Sequence, residues 1–303
     1  MSVKICCIIN EKAGGAAGLK DDELTELFAK RGVKVLVQWI KEGQSIADLV
    51  RDSKSNGYTV FVAGGGDGTV NAVATELISQ QDMLLGILPI GTLNHFAKDL
   101  NIPQGLNESV EVICGMHDEL IDVGKVSDAF FLNNSSLGLY PSIVKSRESQ
   151  QKTGRGKWWS VILAFLAVFS RFRTMRLELK LPDGRIIRRR TALLFVGNNS
   201  YETNATTIGT RRSLQKGVLW VRLSLSSGRW HFTRSLFSVV AGGSSRAGNF
   251  GFETTSFAVN GTKKNLAVAT DGEVQTLKLP LNYQILPRAL RVIVPRAETG
   301  KPS

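Results

Sequence analysis

The sequence predicts an α/β protein in two parts: an N-terminal domain on a doubly wound parallel sheet, then a C-terminal β-rich, sandwich-like domain. Three observations predict it. Short apolar runs alternate with segments of helical period through the first 125 residues. A glycine cluster directly follows the third of those runs. Beyond residue 126, strand-like runs follow one another through turn signals. Short buried strands alternating with helices indicate a parallel sheet covered by helices on both faces.

In order, Val3–Ile9 is a short apolar run that reads as a first strand. Asp21–Lys30 places Leu24, Leu27 and Phe28 at helical spacing. Val33–Trp39 reads as a strand, Ile46–Ser53 as a helix, Thr59–Ala63 as a buried strand, Val70–Ile78 as a helix and Leu84–Leu88 as a strand. In the second part, Arg176–Leu181, Ile186–Val196, Val218–Leu225, Ser256–Val259, Leu266–Ala269 and Val274–Leu279 read as strands. Pro182-Asp183-Gly184 and Ser226-Ser227-Gly228 are turn signals. The expected domains are 1–125 and 126–285, with the segment from about 286 to 303 packing back on the first.

A chain of 303 residues suits two domains, and 43% apolar residues suffice for a substantial core. Cys6, Cys7 and Cys114 are too few for a disulfide framework, no CxxC pair suggests structural zinc, and a reducing cytoplasm fits. The opening MSVKICCIIN has too short an apolar run for a signal peptide. The longest apolar run, Trp158 to Phe169 interrupted by Ser160, is shorter than the roughly 20 residues a spanning helix needs.

The formal charge of +12 is unevenly spread. Residues 1–100 hold 10 basic and 12 acidic residues, whereas residues 141–190 hold 13 basic and 3 acidic ones. Such a patch attracts polyanions, either nucleic acid or an anionic membrane face. No helix-turn-helix, zinc or RNP-like motif accompanies it, so no nucleic-acid partner is expected.

Residues 59–71 read TVFVAGGGDGTVN, a buried strand running through Gly64, Gly65 and Gly66 to Asp67, Gly68 and Thr69 and into a helix. Glycines let the backbone approach a ligand closely, and a helix start offers unpaired N–H groups and partial positive charge. Phosphate is the natural guest. Thr69 and Asn71 add neutral donors. Asp67 is the odd member, since a carboxylate beside phosphates calls for a cation, which argues for Mg²⁺. The loop matches neither the Walker signature nor the GxGxxG fingerprint. Gly91 and Thr92 follow the strand at 84–88, and Asn10 and Lys12 follow the first. Ligands of doubly wound sheets bind beyond these carboxyl ends.

GGGDGT resembles the nucleotide loop of diacylglycerol, sphingosine, ceramide and NAD kinases and phosphofructokinases. The next motif, GILPIGTLNHFAKD at 86–99, is similar to the second motif of bacterial diacylglycerol kinase-like lipid kinases. That resemblance covers most of the chain and is strong in the first 100 residues and near residue 271. It implies an ATP-dependent lipid kinase with Mg²⁺, binding the nucleotide on Asn10, Lys12, Gly65, Gly66, Asp67, Gly68, Thr69, Asn71, Gly91 and Thr92. It also implies metal ligation by Asp67 and by Asp122, in Leu120-Ile121-Asp122-Val123-Gly124. Asp67 is counted with the catalytic residues as well.

Residues 266–279 read LAVATDGEVQTLKL. Alone, Asp271-Gly272 is a common hairpin dipeptide. The resemblance makes Asp271 and Glu273 the family's D-G-E motif facing the nucleotide, and a kinase of an alcohol needs such a carboxylate to orient the hydroxyl and accept its proton. Asp271 and Glu273 stay joint candidates, with Glu273 ahead. The chain departs from the family at Glu11 (usually Pro), Ala72 (often Glu) and Lys216, where many members carry an Asp that binds a structural magnesium. Lysine cannot ligate magnesium, so that metal is expected to be absent or replaced by the ammonium. The stretch from Asn198 to Thr203 also lacks the glycine-rich run common there.

The segment from Gly156 through Trp158 and Trp159 to Arg173 reads as an apolar helix flanked by cations, or as a core helix with solvated arginines. On the first reading, the basic region 145–190 meets an anionic membrane surface. The expected protein is cytoplasmic, associated peripherally with the inner face of the membrane, and phosphorylates diacylglycerol or a related lipid such as phosphatidylglycerol, a sphingoid base or an undecaprenyl-type alcohol. A kinase of NAD or a sugar, and a non-catalytic nucleic-acid or membrane-binding protein, are the competing readings.

Overall fold

The structure is a computed structural model and describes residues 3–16, 18–138, 174–201, 211, 213–224 and 249–296. Contacts divide the chain into two compact units, Met1–Val123 with Pro287–Ser303, and Gly124–Leu286.

The first unit contains β1 (Ile5–Asn10), α1 (Asp21–Ala29), β2 (Val35–Ile40), α2 (Ile46–Ser55), β3 (Val60–Gly64), α3 (Asp67–Thr75), β4 (Leu84–Leu88), α4 (His95–Asp99), α5 (Leu106–Cys114) and the start of β5 (Asp118–Val126). The parallel strands lie in the order β2-β1-β3-β4. Every residue of β3, and all of β1 but its last, is buried, as expected for parallel strands covered on both faces. Successive side chains alternate between those faces. Ile5, Cys7 and Ile9 join Leu24 and Phe28 of α1 and Val110 and Ile113 of α5 in one core. Cys6 turns to the other side, its Sγ 3.4 Å from Ser53 Oγ on α2. Burial pushes the Cys7 thiol well above its ordinary value and raises that of Cys6, as befits small core residues.

The second unit contains β6 (Ala129–Phe131), β7 (Asn134–Gly138), β8 (Met175–Lys180), β9 (Ile186–Thr191), β10 (Leu193–Asn198), β11 (Leu219–Ser224), β12 (Asn249–Thr254), β13 (Ser256–Gly261), β14 (Asn265–Thr270), β15 (Glu273–Lys278) and the first part of β16 (Leu281–Ile293). One antiparallel sheet runs β12-β11-β10-β7-β14-β15. The other runs from β16 through β13 and β8 to β9. Leu177, Leu179 and Val259 of the latter share a core with Leu137, Leu194, Val221 and Val268 of the former, which makes the unit sandwich-like. Phe257 stacks on Tyr283 inside it at 4.8 Å.

Beyond residue 286, β16 returns to the first unit and pairs in parallel with β4 through Val292 and Leu85. Two sequence expectations change here. Ile186–Val196 is two strands, broken at Ala192, because the chain leaves one sheet for the other, and periodicity carries no record of which sheet a strand joins. β16 is the longest strand among the described residues, yet polar Asn282, Gln284 and Arg288 and the internal Pro287 hide it. The apolar helix expected up to Arg173 and the turn at Ser226-Ser227-Gly228 lie outside the described residues.

Candidate active site

In the first unit, three loops meet beyond the carboxyl ends of β1, β3 and β4. Asn10 closes β1, and its amide Nδ2 donates to Thr69 Oγ1 at 3.1 Å while its Oδ1 accepts from Lys12 N at 3.0 Å. Gly15 N donates to Ile90 O at 2.8 Å, tying the first loop to the third. The second and third loops touch main chain to main chain. A Cβ on Gly91 would lie 2.2 Å from Gly66 Cα, and one on Gly65 would lie 2.5 Å from Thr69 Oγ1. Glycine is required at both places by close approach. The first-turn N–H groups of α3, from Asp67, Gly68 and Thr69, have no acceptor within the helix. Thr92 stands exposed on the third loop.

Asp67 has a task that the sequence reading missed. Its Oδ2 accepts from His95 N at 3.1 Å and its Oδ1 from Phe96 N at 3.0 Å. Asn94, at the N-cap of α4, makes no side-chain cap bond and adopts left-handed backbone at φ 51°. Asp67 therefore caps α4 from outside and joins the GGGDGT loop to the next motif. Asn94 is a site residue that sequence reasoning did not single out. It is buried, and its Nδ2 donates to Pro89 O at 2.7 Å and Gly91 O at 3.0 Å. The signal was an Asn three residues after a loop glycine, a residue type that tolerates positive φ.

The remaining expected residues spread out. The Lys12 ammonium is 3.3 Å from Glu42, with both side chains largely exposed. Asn71 lies inside α3, its Oδ1 buried without a protein partner. Asp122 is buried in β5 and accepts Arg288 N at 2.9 Å.

In the second unit, Asp271 and Gly272 form the two-residue turn between β14 and β15. Both have positive φ, 49° and 93°, as a type I′ hairpin requires. The Asp271 carboxylate accepts Leu132 N at 2.6 Å, Asn133 N at 2.8 Å and Asn134 N at 2.9 Å. Although the residue as a whole is half-buried, this carboxyl is enclosed, and burial pushes its pKa up to about 6 against the pull of the three N–H groups and of Arg211. Buried Arg211 donates to Leu132 O at 2.6 Å, Asn198 O at 3.1 Å and Asn133 Oδ1 at 2.8 Å. Asn198 Nδ2 also reaches Leu132 O, at 2.9 Å. This network around residues 132–134 has no contiguous motif that could announce it. Glu273 opens β15 with an exposed side chain. Lys216, expected in place of a metal-binding Asp, bonds both carboxylate oxygens of Glu253 at 3.0 Å and Ser200 Oγ at 3.1 Å. The Ser200 hydroxyl, then this ammonium, hold the Glu253 carboxyl below its ordinary value.

The two expected magnesium ligands do not build a metal cage. Asp67 spends each oxygen on a main-chain N–H, and Asp122 is buried against Arg288 N. No group of three His, Cys, Asp or Glu side chains suited to a metal occurs among the described residues.

The model of the diacylglycerol kinase catalytic domain matches residues 4–126, and that of the YegS C-terminal NAD kinase beta sandwich-like domain matches residues 143–294. This chain belongs to the family that joins a diacylglycerol kinase catalytic domain to a YegS C-terminal NAD kinase beta sandwich-like domain. Among relatives, a probable lipid kinase, YegS-like, of Chromohalobacter salexigens is 32% identical over 153 residues, covering 50% of this chain and 48% of that one. A diacylglycerol kinase of Staphylococcus aureus is 28% identical over 158 residues, covering 52% and 49%. The chain thus spans about half the length of the curated relatives it matches. A crystal structure of a diacylglycerol kinase from Bacillus anthracis superposes with a TM-score of 0.70 at 22% identity, over 97% of both chains. An NAD kinase from Archaeoglobus fulgidus, in complex with ATP, gives 0.51 at 12% identity, over 95% of this chain and 93% of that one. These structures share the fold, which in this family is an α/β domain with a parallel sheet followed by an antiparallel, sandwich-like β domain. No helix among the described residues is long and apolar enough to cross a membrane.

Proposed function

We propose that the chain is an ATP-dependent lipid kinase that transfers the γ-phosphoryl group of ATP to a lipid hydroxyl, with diacylglycerol as acceptor and phosphatidic acid as product. The observation that carries this reading is the contact of Gly66 with Gly91, two bare main chains at the start of α3. A triphosphate can lie against the N–H groups there without meeting a side chain. Family membership supports a kinase, and the relatives named for lipid substrates support the acceptor class.

In this reading Asn10, Thr69 and Thr92 hold phosphate oxygens beside the N–H groups of Gly68 and Thr69. Lys12 exchanges its exposed pairing with Glu42, which is worth little, for phosphate charge. As the acceptor oxygen bonds to the γ-phosphorus, the bond to the bridging oxygen of ADP breaks and the hydroxyl proton passes to a carboxylate. Glu273 takes that proton, and Asp271, committed to three N–H groups, fixes the turn that presents it. The enzyme works at a membrane face, where its substrate resides.

The test is transfer of labelled γ-phosphate in mixed micelles with Mg²⁺, offering diacylglycerol, phosphatidylglycerol, a sphingoid base and NAD to the wild type and Glu273→Gln. Labelled phosphatidic acid from the wild type, reduced at least roughly 100-fold in the variant, is expected. Label in NAD alone, or equal transfer by both proteins, overturns the proposal.

A further inference from the structure

The outer face of β8, β9 and β13 concentrates cations without a matching number of carboxylates. In register, Arg176 lies opposite Arg190, Glu178 opposite Arg188, and Lys180 opposite Ile186, while Asn260 of β13 lies opposite Glu178. Directly opposed residues share a face. Leu177, Leu179 and Val259 fill the other face and are buried. A depression of about 470 Å³ opens on the outside, lined among others by Arg176, Glu178, Arg188, Arg190, Asn260 and Thr262. Glu178, the one carboxylate among the described lining residues, is taken by Arg188 Nε at 2.7 Å. Arg190 Nε donates to Thr174 Oγ1 at 2.5 Å, a neutral partner. Two arginines therefore stand directly opposed with no carboxylate between them among the described residues, an arrangement that destabilises a sheet unless an anion sits there. Exposed Lys263 and Lys264 follow Thr262 at the rim.

We propose that this face docks on an anionic phospholipid bilayer, a headgroup phosphate seating between Arg176 and Arg190. Guanidinium groups match phosphate oxygens in geometry and charge. Ile186, 47% exposed at the other end of the same face, adds an apolar contact with the interface. Among the described residues no aromatic side chain lines the depression, so these residues supply no stacking platform of the kind with which proteins hold single-stranded nucleic acid. Arginines on β9, at the sheet edge, also discourage edge-to-edge pairing, but that role needs no depression and predicts no lipid dependence.

The proposal rests on the lipid-kinase reading for its biological sense, and its test is independent of that reading. The full chain is sedimented with phosphatidylglycerol-containing vesicles and with pure phosphatidylcholine vesicles, as wild type, Arg176→Glu/Arg190→Glu, the milder Arg176→Gln/Arg190→Gln, and a control reversal of equal charge, Lys30→Glu/Lys34→Glu. Expected is salt-sensitive binding to the anionic vesicles only, weakened at least roughly tenfold by either arginine pair and less by the control. Equal binding by wild type and the glutamine pair, equal loss in the control, or binding of duplex DNA in place of vesicles overturns it. Phosphoryl transfer to detergent-dispersed diacylglycerol by the same variants separates the two claims. Arginine-dependent vesicle binding by a protein without lipid kinase activity supports the surface and removes the kinase.

Discussion

At the scale of single residues, the site is defined by what is missing from its side chains. Gly91 and Gly66 approach so closely that a single methyl on Gly91 would sit 2.2 Å from Gly66 Cα, so Gly91→Ala must push the two loops apart. A displacement of about 1 Å at a site of this kind costs roughly 100-fold in rate. Gly14 supplies the contrast, because the nearest atom to its added methyl is Thr92 Oγ1, at 3.7 Å. In steady-state kinetics, Gly91→Ala is expected to lose about 100-fold in kcat/KM for ATP while Gly14→Ala stays within a few-fold of wild type. Similar losses in both would show that the contact of Gly66 and Gly91 has no special part. Asp67 shows what a residue type alone leaves open, since its carboxylate accepts two main-chain N–H groups, from His95 and Phe96, that its place in the GGGDGT loop does not announce.

At the scale of elements, the turn between β14 and β15 is a device rather than a connection. Its two positive-φ residues make a tight I′ turn, and the Asp271 carboxylate pins that turn to the segment after β6 through three N–H groups. Burial raises the Asp271 carboxyl to about 6, so the folded state favours its protonated form relative to the unfolded chain, where it titrates near 4. The sign follows. Below pH about 4 both states are protonated and the burial of Asp271 carries no charge penalty. Between about 4 and 6 the unfolded chain ionises first, and stability is lost as pH rises, until the penalty is complete above about 6. A shift of about two pKa units corresponds to at most about 3 kcal/mol. The stability of wild type relative to Asp271→Asn, from urea unfolding, is therefore expected to decline between pH 4 and 6.5 by up to that amount. A difference that is flat with pH, or one that grows, would remove Asp271 as a buried, titrating anchor. Arg211 holds the same segment from the acceptor side, through Leu132 O and Asn133 Oδ1.

At the scale of the whole molecule, the chain leaves the first unit at Val123 and comes back to it at Pro287. The return is part of the core: Leu290, Val292, Ile293 and Val294 are all buried, none more than 4% exposed. Burying one such side chain contributes about 1.5–3 kcal/mol, so the four together rival the roughly 5–15 kcal/mol of a typical domain. A chain stopped after Leu286 is expected to lose cooperative unfolding of its first unit, visible as early exchange of the β1 and β3 amides, although every residue of the glycine loops is still present. Unchanged protection of those amides would show that the returning strand is dispensable. Arg291 reinforces the return, since its guanidinium is bidentate to Asp118 at 2.8 Å on each oxygen, and that carboxylate raises the Arg291 pKa further.

What the sequence determined by itself was the local chemistry. Alternating apolar runs produced the parallel sheet because strands buried on both faces must be apolar throughout, and β4 was legible to the residue. The glycine loops were legible because close backbone approach excludes side chains, and that exclusion is written in the residue type. Tertiary structure alone decided what each polar group of those motifs touches. Asp67 turned toward the start of α4, Lys12 toward Glu42, and Asp122 into the core against Arg288. It also decided that one apolar run is divided between two sheets, that β16 serves both units, and that Arg211 meets Leu132 across 79 positions of chain. Hydrogen bonds and sheet pairing between distant segments depend on which backbone groups the fold brings within about 3 Å, and sequence spacing does not encode that separation.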